Sequence, residues 1–116
     1  MAQDPAFAAE PFCYLTTTGR VTGNPHEIEI WFVLQGTTAY LLAGDHRSDW
    51  VLNARRQPAV TLRIRDRIYD ATARAVIDPA EDVQVRRLML EKYATPRDAL
   101  ESWGRTALPV AFDLTI

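Results

Sequence analysis

Residues Thr16 to His26 read Thr-Thr-Thr-Gly-Arg-Val-Thr-Gly-Asn-Pro-His and separate two apolar runs. Glycine admits positive φ and close approach of another group to the backbone, so this segment is a turn between two strands. Phe12 to Thr18 is aromatic and β-branched and reads as the first strand. Glu27 to Leu34 reads as the second; it starts with polar–apolar alternation and ends fully apolar, so its second half is expected to be buried on both faces. Gln35-Gly36-Thr37 is a tight turn, and Thr38 to Ala43 is a third strand. Such short connections predict an antiparallel meander.

The pattern then changes. Ser48 suits an N-cap, Asp49 suits a first helical turn, and Pro58 ends the helix they begin. Val60, Leu62 and Ile64 alternate along a strand over Ala59 to Arg65, and Ile68 to Ile77 reads as the next. Asp78-Pro79-Ala80-Glu81 starts a second helix, with Asp78 as cap, Pro79 at the first helical position and Glu81 at capping-box spacing. Its stripe is Val85, Leu88, Met89 and the stem of Lys92. Pro96 opens a short helix over Arg97 to Trp103, and Ala107 to Ile116 closes the chain as a strand, with Pro109 at an edge or bulge. Residues 1–11 read as a loose arm or a short helix. The order β-β-β-α-β-β-α-α-β predicts a mainly β chain with helices (α+β), a small closed or half-open antiparallel barrel of about six strands. A sandwich or an open sheet is the competing arrangement.

The length of 116 residues predicts one domain, 1–116, with its site on one core or at a subunit interface. The net charge of −2 argues against non-specific nucleic-acid binding, which needs a basic face. Lys92 is the only lysine, so cationic chemistry rests on arginine, whose fork matches phosphate and carboxylate. Cys13 is the only cysteine and reads as a buried filler. No run approaches membrane-spanning length, and the first eleven residues lack the pattern of a signal peptide; a cytoplasmic protein is expected.

No side chain stands out as a catalytic acid, base or nucleophile. His26 and His46 lack the spacing of metal ligands. Ser48 is explained as a cap, and Glu27 and Glu29 share a strand face that more often is solvated. Neither G-x-G-x-x-G nor the phosphate loop is present. What remains is the turn itself: backbone amides that can form an anion nest, beside Arg20. Trp31, Trp50 and Tyr40 either wall a planar ring or pack in the core. This profile suits a protein whose cofactor supplies the chemistry, although a plain hairpin with a surface arginine would show the same residues.

Three separated motifs carry a resemblance: the turn at residues 16 to 25, Asp49-Trp50-x-x-Asn53 followed by Pro58-x-Val60, and Trp103-Gly104-Arg105-Thr106-Ala107-Leu108-Pro109-Val110. With them the chain resembles the deazaflavin-dependent nitroreductase family, also described as F420H2-dependent quinone reductases, within the flavin-binding split-barrel superfamily. The resemblance implies a split β-barrel that binds coenzyme F420 and passes a hydride to a quinone, an activated alkene or a nitro compound. It implies that Gly19, Arg20, Thr22, Gly23, Pro25 and His26 meet the phosphate and its acidic tail, and that Ile28, Glu29 and Trp31 run along the ring. Leu42, Ala43, Gly44 and Arg47 would edge the ring, with Asp49, Trp50 and Asn53 closing the other side. Pairing is common in that superfamily, so a homodimer is expected. Val21 stands where many relatives carry lysine or arginine, and His26 where several carry arginine. The region Tyr93 to Leu100 lacks the tyrosine cluster of some nitro-reducing members. FMN, with its shorter anionic group, is the alternative coenzyme, and a non-catalytic cofactor- or lipophilic-ligand-binding protein is the alternative function.

Overall fold

The computed structural model describes residues 5–115; the remainder of the expected N-terminal arm, 1–4, lies outside the described residues. A short helix α1 (Pro5–Ala8) precedes β1 (Cys13–Thr18) and β2 (Pro25–Ile30). Then follow β3 (Val33–Gln35), β4 (Thr38–Ala43), α2 (Asp49–Arg56), β5 (Ala59–Ile64) and β6 (Arg67–Ala75). The chain continues through α3 (Pro79–Tyr93) and α4 (Glu101–Thr106) to β7 (Leu108–Leu114).

The strands form a seven-stranded sheet in the order β2-β1-β5-β6-β7-β4-β3, every neighbouring pair antiparallel. This corrects two expectations, the count of about six strands and the meander. The run Glu27–Leu34 is broken at Trp31 and Phe32, and its two halves lie at opposite edges of the sheet. A flat sheet of this width would separate its edges by about 29 Å, whereas the link from Ile30 to Val33 spans at most about 11 Å. The sheet must therefore curl until its edges nearly meet, which makes it a split barrel.

Phe32, at the corner, is fully buried, and its backbone leaves the ladder. The end of α3 supplies the missing partners. The Phe32 N–H donates to the Tyr93 hydroxyl (2.9 Å), and Lys92 Nζ donates to the Phe32 carbonyl (2.8 Å). The inner core joins Leu15, Leu41, Val51, Leu62, Ile64 and Phe112. A second cluster sets Val85 and Met89 of α3 against Val33, Tyr40, Leu42 and Ala111.

Local signals explain most boundaries. The Asp78 side chain accepts from Ala80 N–H, with Pro79 opening α3. Glu81 makes no capping box; it accepts from Tyr40 Oη and from both Nη atoms of Arg74. The expected cap from Ser48 is also absent, because its hydroxyl donates to the Asp45 carbonyl. The helix expected over Arg97 to Trp103 is displaced to Glu101–Thr106, since Leu100 adopts φ 55°, a left-handed conformation that a helix cannot run through. Pro109 lies in an inner strand, paired with Leu42 of β4, but β6 stops pairing at Val110, so its missing N–H faces no β6 partner. No described helix is long and apolar enough to cross a membrane.

Candidate functional site

The turn between β1 and β2 is closed by its own backbone. Gly19 N–H donates to the Asn24 carbonyl (2.7 Å), and Gly23 N–H to the Gly19 carbonyl (2.9 Å). Gly23 has φ 77°, open to glycine at little cost. At Gly19 space is the constraint: a Cβ there would lie 2.7 Å from Nε2 of His26. The histidine ring thus packs on bare backbone across the mouth of the hairpin.

Arg20 is tied to α2. Its backbone N–H (3.1 Å) and Nη1 (2.8 Å) both donate to Oδ1 of Asn53, and Nη2 donates to Oδ1 of Asp49 (3.1 Å). Asn53 is only 2 % exposed and donates from Nδ2 to the Thr17 hydroxyl (3.2 Å). A buried amide therefore fixes the guanidinium between strand and helix. Around it lies a pocket of about 350 Å³ lined by Gly19, Arg20, Val21, Thr22, Asn24, His26, Asp49 and Asn53. The expected amide nest is narrower than the sequence suggests. The Gly19, Arg20, Gly23 and Asn24 amides are spent inside the fold, whereas those of Val21 and Thr22 have no hydrogen-bond partner among the described residues. With the remaining N–H groups of Arg20 they match the acceptor oxygens of one phosphate.

Farther along β2 lies a second, apolar groove of about 450 Å³, lined by Phe12, Glu29, Ile30, Trp31, Leu42, Leu100 and Trp103. Trp31 stacks on Tyr93 (centroids 4.3 Å apart, planes within 5°) and meets Trp103 edge-on at 5.6 Å. Burial pushes the Tyr93 hydroxyl up to about 12, while its oxygen bonds the Phe32 N–H and can donate to the Pro11 carbonyl. Glu29 accepts from the Tyr14 hydroxyl (2.7 Å), which raises the tyrosine's pKa. His26 at the start of β2 lines the polar pocket, Glu29 and Ile30 at its end line the groove, and about 17 Å of strand separates His26 from Trp31. That is the scale of a tricyclic ring with a ribityl arm and a phosphate.

The structure thus brings Gly19, Arg20, Thr22, His26, Asp49 and Asn53 together at one end, and Glu29, Trp31 and Leu42 at the other. Gly23 and Pro25 shape the hairpin between β1 and β2. Gly44 lies against the Trp103 ring, 3.8 Å from a Cβ built there. Other expected residues line neither pocket. Trp50 is buried against Phe112, Ala43 is in the inner core, and Ile28 packs against that core. Tyr40 is buried and donates to Glu81. Arg47 is exposed on the loop before α2, and His46 bonds the Thr106 carbonyl rather than standing free. Phe12, Leu100 and Trp103 were missed as site residues. Trp103 lies in the last of the three motifs, but its place opposite Trp31 comes from helix packing, which no local pattern encodes.

Curled antiparallel strands with a polar pocket and an aromatic groove define a split-barrel coenzyme-binding protein. Residues 5–114 match the F420H(2)-dependent quinone reductase family, and the chain belongs to it, which makes it an F420-dependent oxidoreductase. Its fold is similar to that of an F420-H2-dependent reductase, FDR-A (TM-score 0.71, 22 % identity, covering 91 % of this chain and 95 % of that one). It is also similar to a structure described as a domain-swapped dimer (0.72, 23 %, 91 % and 81 %) and to the heme storage protein HutZ of Vibrio cholerae (0.72, 21 %, 99 % and 90 %).

Proposed function

We propose that this protein delivers the hydride of reduced F420 to a flat, uncharged, electron-poor acceptor, a quinone before an activated alkene or a nitro compound. The observation that carries this reading is the pairing of a polar pocket that holds Arg20 at one end of β2 with an aromatic groove at its other end. Arg20 and the Val21 and Thr22 amides would hold the phosphate, with Asn53 keeping the guanidinium aimed. Trp31, Trp103 and Leu42 would hold the ring and exclude water from one side. When bound, the reduced deazaflavin supplies the hydride from its ring. Among the described residues Glu29 is the one carboxyl group lining the groove, and its carboxylate already accepts the Tyr14 hydroxyl; Tyr93 keeps its proton behind Trp31. The product's proton therefore comes from water. Among the described residues no cation lines the groove, which favours neutral acceptors.

A homodimer in the cytoplasm completes the reading; one similar structure is described as a domain-swapped dimer. The test is a titration of the pure protein with F420 and FMN side by side, followed by stopped-flow oxidation of the reduced coenzyme with quinones, enones and nitroaromatics. F420 should bind, and quinones should oxidise it fastest. Tighter binding of FMN would replace the coenzyme, binding without turnover would make this a carrier, and no binding of either would end the proposal.

A further inference from the structure

The ionisable side chains lining the polar pocket are Arg20, His26 and Asp49. Arg20 is the fixed cation, and Asp49 is already bonded to it at 3.1 Å. The Asp49 side chain is 87 % exposed against 34 % for Arg20, so its carboxylate lines the pocket on the solvent side of the pair. An anionic group bound at Arg20 replaces solvent around one guanidinium. A chain of further carboxylates leaving that point meets the Asp49 charge. Val21, 89 % exposed at the turn's tip, adds no charge. Exposed like charges repel weakly each, but the repulsion acts on every nearby carboxylate within about 8–10 Å at ordinary salt.

Resting on the F420 reading above, the geometry points to Asp49 as the residue that sets tail specificity: the protein takes a deazaflavin for its phosphate and gains nothing from an oligoglutamate tail. Discrimination of this kind comes from a placed repulsive group as much as from attraction. Asp49 opens α2, where its charge also favours the helix, so a neutral amide there is a mild change for the fold.

The experiment measures dissociation constants at low salt for three ligands: the phosphate-free deazaflavin riboside, the phosphorylated form without glutamates, and the oligoglutamyl form. Wild-type protein, Asp49→Asn and Asp49→Lys are compared, each checked by thermal melting. In the wild type the phosphate should tighten binding at least about tenfold, and the glutamates should change it less than about threefold. Asp49→Asn should create a preference for the long tail of about fivefold, and Asp49→Lys a larger one that fades with salt. A wild-type preference for the long tail above about tenfold overturns the inference, as does an unchanged tail ratio in both variants. If the riboside binds as tightly as the phosphorylated form, or if none of the three binds, the coenzyme reading itself fails and this inference fails with it.

Discussion

At the scale of single residues, Arg20 shows how binding and folding are kept apart. Its guanidinium donates to Asp49 and Asn53, which would suggest that truncation unmoors the turn. The backbone N–H of the same residue, however, also donates to Asn53 Oδ1, so the buried amide keeps a partner when the side chain is removed. Asp49 loses its ion pair but stays in water. Arg20→Ala should therefore fold normally, with a melting temperature close to wild type. Its affinity for a phosphate-bearing deazaflavin should drop by about 1.5–3 kcal/mol, the scale of a hydrogen bond to a charged group. Calorimetric titration with the phosphorylated and phosphate-free ligands checks this, because only the former should be weakened. Equal affinity in wild type and variant would remove the pocket as the phosphate site.

At the scale of elements, α4 has no long hydrophobic face and six residues, yet it carries Trp103 into the groove. Arg86 of α3 holds it there: Nη1 lies 3.2, 3.1 and 2.8 Å from the carbonyl oxygens of Gly104, Arg105 and Ala107, the unpaired end of the helix. Asp82 pins the other side of the guanidinium at 2.6 Å. Arg86→Met keeps much of the stem packing but removes these bonds. It should cost about 1.5–3 kcal/mol in urea unfolding and weaken acceptor binding more than phosphate binding. This contact was not legible in the sequence, and the reason is general. The start of α3, the α2 boundary at Pro58 and the alternation of β5 are written in neighbouring residues, and the fold follows them. The break at Trp31 and Phe32 has no local mark, because the apolar run passes straight through it; closure of the barrel imposes it. Leu100 likewise gives no warning of its left-handed backbone. In the site, the polar pocket was readable because its turn is contiguous and its helix partner carries a motif. The groove gathers Phe12, Trp31, Leu42 and Trp103 from distant segments, and Trp50 could be sent to the core only by knowing which way α2 faces.

At the scale of the whole molecule, two buried or half-buried clusters set how stability depends on pH. On the acid side, Glu81 joins α3 to the sheet through Arg74 and Tyr40, and these bonds hold its carboxyl down at about 2 against an ordinary 4.5. The unfolded chain binds that proton first, so this contribution is complete above pH 4.5 and is lost as pH falls toward 2. Glu81→Gln should cost about 1–3 kcal/mol at neutral pH and flatten the acid limb. On the alkaline side the barrel corner governs. Burial lowers Lys92 from 10.5 to about 8, and it raises the Cys13 thiol from 9.0 and the Tyr93 hydroxyl from 10.0, each to about 12. Above pH 8 the folded state sheds the Lys92 proton while the unfolded chain keeps it, so stability rises with pH. From pH 9 the unfolded chain loses the Cys13 proton that the folded state retains, and from 10 that of Tyr93, so stability falls. Urea midpoints measured across the range should therefore rise from pH 8, hold level between 9 and 10, where the Lys92 and Cys13 slopes cancel, and fall above 10, an optimum above the usual neutral one. Lys92→Met should remove the rise and leave the fall, because it deletes the one group at the corner whose neutral form is the deprotonated one. A wild-type profile that declines steadily from pH 7 would mean that Lys92 is solvated and that the corner is not sealed by α3.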